Sequence, residues 1–418
     1  MSFKNSLLNT LILFLMMSFV TISLQNNAYA VAQWSRKYKT SCTTCHTSFP
    51  RLNYYGERFM KNGFQDPDSD EPDGGTLRKI KKPNFDIGQI GDLLGLRINI
   101  SPFIYKTNGL TVDGKKKDLY SIGKFGWIQF FTAGTITKNI SFFDELEFEP
   151  TTLKHGWFIL GLHNLLNSKL VNFQIGKISP TDWTSFSNRL RIFPEVTALA
   201  DKVAPSAGAT GALDNVAVSS GQFGTNYYGY YGPAVWTLGV GNAKNTDDVN
   251  QFKNFWGSLK WEVSKEDSAF AGTSVSFFAY KGTDTKATST AQIKNTYVRY
   301  QPSFNLRWKD WDVITSYHIA REDNYTLAAV TAQPENFQGE TIILSKIIRK
   351  KYQLGAQYDN ITQEFKSAGV KEVEQERLAG HASWLVRDNL NFIASGLFDI
   401  TDHTKKQHTV QFIVRSMF

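Results

Sequence analysis

The chain has 418 residues, room for one large domain and a small one, and a net charge of +8. Its two cysteines sit three positions apart, so a disulfide framework is excluded, and the scattered basic residues accompany no nucleic-acid motif, so nucleic acid is not an expected partner. Aromatic residues make up 14%, with 31 Phe, 17 Tyr and 10 Trp, yet mean hydropathy is negative, the balance left by strands with one face in lipid and the other in water.

Residues 1–30 open on Lys4, continue through the apolar run Leu7 to Leu24 and leave through Ala28-Tyr29-Ala30. That order predicts a secretory signal peptide cut after Ala30. The same run is near the length of a membrane anchor, the competing reading. On either reading the remainder leaves the cytoplasm, and no later apolar run is long enough for a membrane-spanning helix.

Residues 31–65 form a small head carrying Cys42-Thr43-Thr44-Cys45-His46. In an exported chain this spacing predicts one covalent haem c. Two thiols on one turn add across the haem vinyl groups, and the next His faces the iron as proximal ligand. So short a head cannot bury a haem by packing alone, so covalent attachment is what holds it. A thioredoxin-like redox pair is the competing reading, but it needs a βαβ scaffold of which the sequence gives no sign.

Downstream, Ser48-Phe49-Pro50-Arg51-Leu52 predicts a helix opening near Ser48, with Pro50 in its first turn and Gly63 at its end. Leu52, Gly56 and Phe59 share a face at helical spacing, and Leu52, Phe59 and Phe64 are set to wrap one haem face. Met60 is the only methionine of the head after the motif and the candidate distal ligand, with plain packing as the alternative. His155, His163, His318, His381, His403 and His408 are the other candidates, each equally readable as a lumen or loop residue.

Residues 66–84 read as a linker, acidic and Pro-rich from Asp66 to Gly75, then basic at Arg78, Lys79, Lys81 and Lys82. Asp66, Asp68 and Asp70 imitate the start of a calcium loop. Glu71 stands where such a loop needs Gly, so a solvated linker is the better reading.

Residues 85–418 repeat one theme: segments of about ten residues, rich in aromatic and β-branched side chains and separated by Asn, Asp, Gly or Lys. They predict a mainly β fold, a transmembrane antiparallel β-barrel of about 16 strands with the helical haem head plugging its lumen. A soluble β-sandwich or β-helix is the alternative. The last segment is the clearest. Val410, Phe412, Val414 and Phe418 share one face, Thr409, Gln411, Arg415 and Met417 the other, with Ile413 out of step. Residues 180–213 interrupt the series and predict a long loop folded into the lumen.

The run Trp34-Ser35-Arg36-Lys37-Tyr38-Lys39-Thr40-Ser41-Cys42-Thr43-Thr44-Cys45-His46-Thr47-Ser48-Phe49-Pro50-Arg51-Leu52-Asn53-Tyr54-Tyr55-Gly56-Glu57-Arg58-Phe59, continuing into Lys61-Asn62-Gly63-Phe64, resembles the head of the fused monohaem cytochrome–porins of iron-oxidising bacteria. Over the barrel the likeness is one of architecture. The resemblance implies haem ligation at Cys42, Cys45 and His46, a barrel of about sixteen strands in the outer membrane of a Gram-negative bacterium, and an iron-oxidising electron transfer. Electrons would pass from extracellular Fe(II), or another redox donor, to a periplasmic cytochrome or similar carrier. A diffusion porin with a structural or regulatory haem head, and the same conduit run outward, are the alternatives. A haem peroxidase would need a catalytic distal pair, for which the sequence offers no residues.

Overall fold

A computed structural model describes residues 33–38, 40–68, 93–149, 152–187, 189–199, 221–242, 252–265, 267–287, 292–324, 334–365, 373–401 and 406–417. The signal peptide, most of the linker, His403, Phe418 and the small-residue part of the long loop lie outside the described residues. In the head, α1 spans Gln33–Tyr38, β1 His46–Ser48, β2 Arg51–Leu52 and α2 Tyr54–Lys61.

The barrel begins with β3 (Leu94–Val112), β4 (Lys115–Thr137), β5 (Ile140–Glu149), β6 (Thr152–Leu162), β7 (Asn172–Ile178), β8 (Gln222–Tyr231), β9 (Ala234–Gly241) and β10 (Asn254–Glu262). It continues with β11 (Ser274–Ala287), β12 (Gln292–Trp308), β13 (Trp311–Glu322), β14 (Glu335–Ile348), β15 (Tyr352–Phe365), β16 (Val373–Arg387), β17 (Leu390–Asp399) and β18 (His408–Met417). Each strand pairs antiparallel with the next, and β18 pairs with β3 from Thr409↔Lys106 to Met417↔Arg97, closing a barrel of sixteen strands. Closure satisfies every ladder and leaves no edge, the condition for β structure in a bilayer.

At the end where β3 starts and β18 finishes, residues 138–139, 232–233, 309–310, 349–351 and 388–389 make turns of two or three residues, beside the longer connections 163–171 and 263–273. The three longest connections, 179–221, 242–253 and 323–334, lie at the opposite end, together with the two-residue turn 113–114. These are called the turn end and the loop end below.

Period-two alternation puts apolar side chains outside and polar ones inside. In β10, Phe255, Leu259 and Trp261 are exposed on the outer face, while Trp256, Ser258, Lys260 and Glu262 are buried inside. On β14 Ile342 and Leu344 lie outside, and Thr341, Ile343 and Ser345 inside. The expected irregularity in β18 is real: Ile413 is buried inside, while Phe412 is exposed outside. A belt of this kind matches lipid, since water-soluble monomers rarely expose so continuous an apolar surface.

The lumen is occupied. The described part of the long loop folds inward, burying Trp183, Phe186, Leu190, Ile192, Phe193, Val196 and Ala198. Phe193 stacks on His381 of β16 at 4.7 Å, and Glu195 accepts from Arg415 of β18 at 2.8 Å. From the turn end the head enters the lumen, leaving a cavity between head, loop and wall.

One local expectation needs correction. The head helix begins at Tyr54 rather than near Ser48, because Pro50 occupies the turn between β1 and β2, and Asn53 caps the helix by accepting from the Gly56 N–H at 2.9 Å. At the start of the linker Tyr55 donates to Asp66 at 3.0 Å, and Arg58 pairs with the exposed Asp68 at 2.5 Å.

Leu259→Arg puts a charge on the lipid face near mid-strand and should destabilise the barrel by about 2–4 kcal/mol. Denaturant titration of folding into lipid vesicles measures it, and an unchanged midpoint would contradict the inside–outside assignment.

Candidate haem site

The site starts from one tight turn. Ser41 caps the single 3₁₀ turn Cys42–Thr44, its Oγ accepting from the Thr43 N–H at 3.1 Å. Asn53 holds that turn against α2: its side-chain amide donates to the carbonyls of Thr43 and Thr44 at 3.2 and 2.9 Å, and its N–H donates to Cys45 O at 2.9 Å. Gly56 lets the helix come this close, because a Cβ there would stand 2.1 Å from Cys45 O. Gly63, at φ +73°, ends α2 as expected and lets the chain turn Phe64 back toward Phe59.

Cys42, Cys45 and His46 line a single cavity of about 1180 Å³ inside the lumen, no smaller than the roughly 300–1,000 Å³ common for ligand sites. Both cysteines are free thiols and half-buried; burial pushes each up to about 11. Burial lowers His46 to about 4 against the pull of the Arg51 and Pro50 carbonyls, so its imidazole is neutral at pH 7, the form that ligates iron. Leu52, Phe59 and Phe64 line the same cavity, as expected, joined by Trp34 and Tyr38. Trp34 stacks on Phe64 at 4.8 Å and meets Phe59 edge-on at 5.6 Å. The donor set and the apolar walls fit a covalently attached haem, held by thioether bonds at Cys42 and Cys45 and ligated by His46.

The barrel supplies the rest of the cavity: Phe131 and Phe143, Gln129 bridging Glu145 and Glu147, and Arg97 over the rings of Phe49 and Phe131. Met60 is buried, lines the cavity and accepts on Sδ from Arg189 of the inward loop at 3.8 Å. Arg189 in turn pairs with Asp182 at 2.6 Å. Most of the barrel histidines are engaged elsewhere. His163 bonds Ser141 and Tyr228, His318 packs on Phe186, His381 stacks on Phe193, and His408 packs on Phe398. His155 borders the cavity, but its ring pairs with Asp144, and its register partner Leu146 belongs to the outward face. Among the described residues no cluster of three or more His, Cys, Asp or Glu is arranged to hold a bare metal ion.

Buried ion pairs between head and wall were not foreseen from the sequence. Arg51 pairs with Asp312 of β13 at 2.9 Å and donates to Asn305 of β12 at 2.9 Å. Glu57 accepts from Lys260 of β10 at 2.5 Å and Arg307 of β12 at 2.6 Å, and Lys61 pairs with Glu262 at 2.9 Å. The available signal was Glu57 and Lys61 one helical turn apart beside Phe59, and Lys260 and Glu262 on the inward side of an apolar strand. Polar contacts to the turn end complete the docking: Gln65 to Lys138 O at 2.7 Å, Asn62 with Asn164 at 3.0 Å, and Arg36 to Leu94 O.

The closed sixteen-strand barrel with its apolar outer belt has the fold of outer-membrane porins. The chain is similar to an anion-selective porin from Comamonas acidovorans (TM-score 0.54, 11% identity, covering 78% of this chain and 99% of that one). It is also similar to OmpF of Salmonella typhi, solved in complex with daunomycin (0.53, 11%, 78% and 97%), and to the channel DcaP of Acinetobacter baumannii (0.52, 9%, 78% and 96%). At such identities the likeness is one of fold. No family model matches the chain, and no curated protein does.

Removing Glu57 strands two buried cations. Glu57→Gln should weaken docking of the head by about 3–5 kcal/mol and open it to trypsin. Burial raises the Glu57 pKa, but Arg307, Lys260 and Arg51 together drive it well below the ordinary carboxylate range. A group depressed on folding contributes stability above its unfolded value, near 4.3, and loses it as pH falls below that value. Limited proteolysis of the wild type should therefore show a head protected at pH 7 and progressively cleaved below about pH 4.

Proposed function

We propose that this protein, exported by a signal peptide cut after Ala30, is a monohaem electron-transfer protein of the Gram-negative outer membrane. It takes electrons from extracellular Fe(II) and passes them to a periplasmic carrier. The observation that carries the reading is the convergence of Cys42, Cys45 and His46 on one large cavity within a porin-type lumen. Outer-membrane barrels turn short connections to the periplasm and long loops outward, which assigns the turn end, with the head, to the periplasm.

A haem c at this site supplies a one-electron couple, matching the single electron that Fe²⁺ gives up in becoming Fe³⁺. The chain's own residues do the rest. Asn53 and Gly56 fix the attachment turn, His46 offers a neutral nitrogen, and Trp34, Phe59 and Phe64 exclude water from one face. Met60 is the candidate second ligand that would hold the iron, its side chain contacted by Arg189 from the inward loop. Protein purified in detergent should show a haem c spectrum that Fe(II) reduces and a ferric oxidant restores. The Cys42→Ala, Cys45→Ala variant should lack it. A haem that Fe(II) leaves oxidised at the working pH would sink the iron reading, and a potential well below the iron couple would favour outward flow.

The likeness to porins favours a second reading, a diffusion porin whose head is structural or regulatory. Against free diffusion stand the ion-paired head and the inward loop, both buried in the lumen. In planar bilayers the first reading predicts a conductance far below that of an open porin. Porin-sized conductance from the intact, haem-loaded chain would establish the second.

A further inference from the structure

The attachment turn reaches the turn end of the barrel at one place. Cys42 Sγ lies 3.5 Å from the carbonyl oxygen of Asp388, in the β16–β17 turn. A hollow of about 50 Å³ beside it is lined by Cys42, Thr47, Lys350, Lys351, Asp388 and Asn389 among others. Both cysteines are half-buried rather than sealed. A group bonded to Cys42 is therefore attached at this rim.

The rim is basic. Arg349, Lys350 and Lys351 follow one another through the β14–β15 turn, all three exposed, with Arg387 exposed at the end of β16 and Lys309 in the β12–β13 turn. Asp388 is the acid among them on the Cys42 side, and Asp310 sits beside Lys309. The three cations lie outside the strands with their side chains exposed, and like charges side by side repel. Such a charged rim raises the local concentration of an oppositely charged partner and steers its encounter.

We propose that the rim formed by Arg349, Lys350, Lys351 and Arg387 is the docking surface for a soluble redox protein with an acidic face, which collects the electron beside Cys42. This rests on the electron-transfer reading above. Transfer is one electron from the reduced haem to the oxidised centre of the partner, with no bond made and no proton required. The interaction is a surface one, so it is fast, weak and dependent on salt.

The test uses the haem-loaded full chain in lipid nanodiscs, with an acidic blue-copper protein and a basic c-type cytochrome as probe oxidants. At low salt the acidic probe should bind and oxidise the reduced protein at least about tenfold faster than the basic one, and high salt should erase the difference. Lys350→Gln, Lys351→Glu should abolish the preference with the haem spectrum unchanged. Lys351→Glu, Arg387→Glu does the same with the end of β16 included, should the first variant fold poorly. Equal rates for both probes, or a preference that survives both variants, would overturn the proposal. So would a preference that tracks the charge of the nanodisc lipid instead of the variants, since the rim would then serve headgroups. Salt-dependent binding of the acidic probe without electron transfer would leave the surface standing and remove the electron-transfer reading beneath it.

Discussion

Everything inside this barrel depends on the buried ion pairs that Arg51, Glu57 and Lys61 make with its wall. A charge withdrawn from water is costly unless a partner and further hydrogen bonds compensate it. Lys260, Glu262, Arg307 and Asp312 all point into the lumen and are almost wholly shielded. Without the head they would be a cluster of charges in a partly dry tube. Without the wall the head would be a short segment with one helix of eight residues and a core too small to stand alone. Each half completes the other, and the pairing fixes the orientation of α2 as well as its presence.

That orientation decides what the cavity is made of. With Glu57 and Lys61 turned to β10 and β12, Phe59 must face the other way, and Trp34 and Phe64 close around Phe59 against Phe143 of β5. The attachment turn is carried along because Asn53 ties it to the first turn of α2. The cavity thus joins Trp34, Phe59 and Phe64 of the head to Phe131, Phe143, Arg97 and Glu145 of the barrel, a lining neither part could supply alone. The inward loop meets the head at Met60 through Arg189, and its Trp183 and Leu190 join the apolar cluster of Leu52, Phe59 and Met60.

Much of this was legible in the sequence. The attachment motif is a local pattern with local chemistry, and the strand count followed from spacing and turn residues. Two strands were hard to see. β8 is a run of Tyr broken by Gly and Asn, and the sharp Asp113-Gly114 turn folds β3 onto β4 within a stretch of basic and polar residues that carries little apolar signal. The head helix was placed too early because Pro50 is compatible both with a first helical turn and with a turn between strands, and only the closing of His46 against Leu52 decides. The ion pairs were illegible for a different reason: their partners are 201 to 261 residues apart, and periodicity says which face a charge occupies but never which charge it meets. The distal side of the site shares that limit, since Arg189 and Met60 are brought together by a loop whose path no local pattern encodes.

The head enters the lumen from the end at which β3 begins and β18 finishes. Its contacts to Leu94, Lys138, Asn164 and Asp388 all lie on that side. The strands of a closed, even-stranded barrel return the chain to the face from which it set out. The segment that carries the cysteines therefore never has to be threaded through the membrane. It can be chemically finished in the same compartment where the barrel starts to insert, and seated like a cork from below as the last strand meets the first.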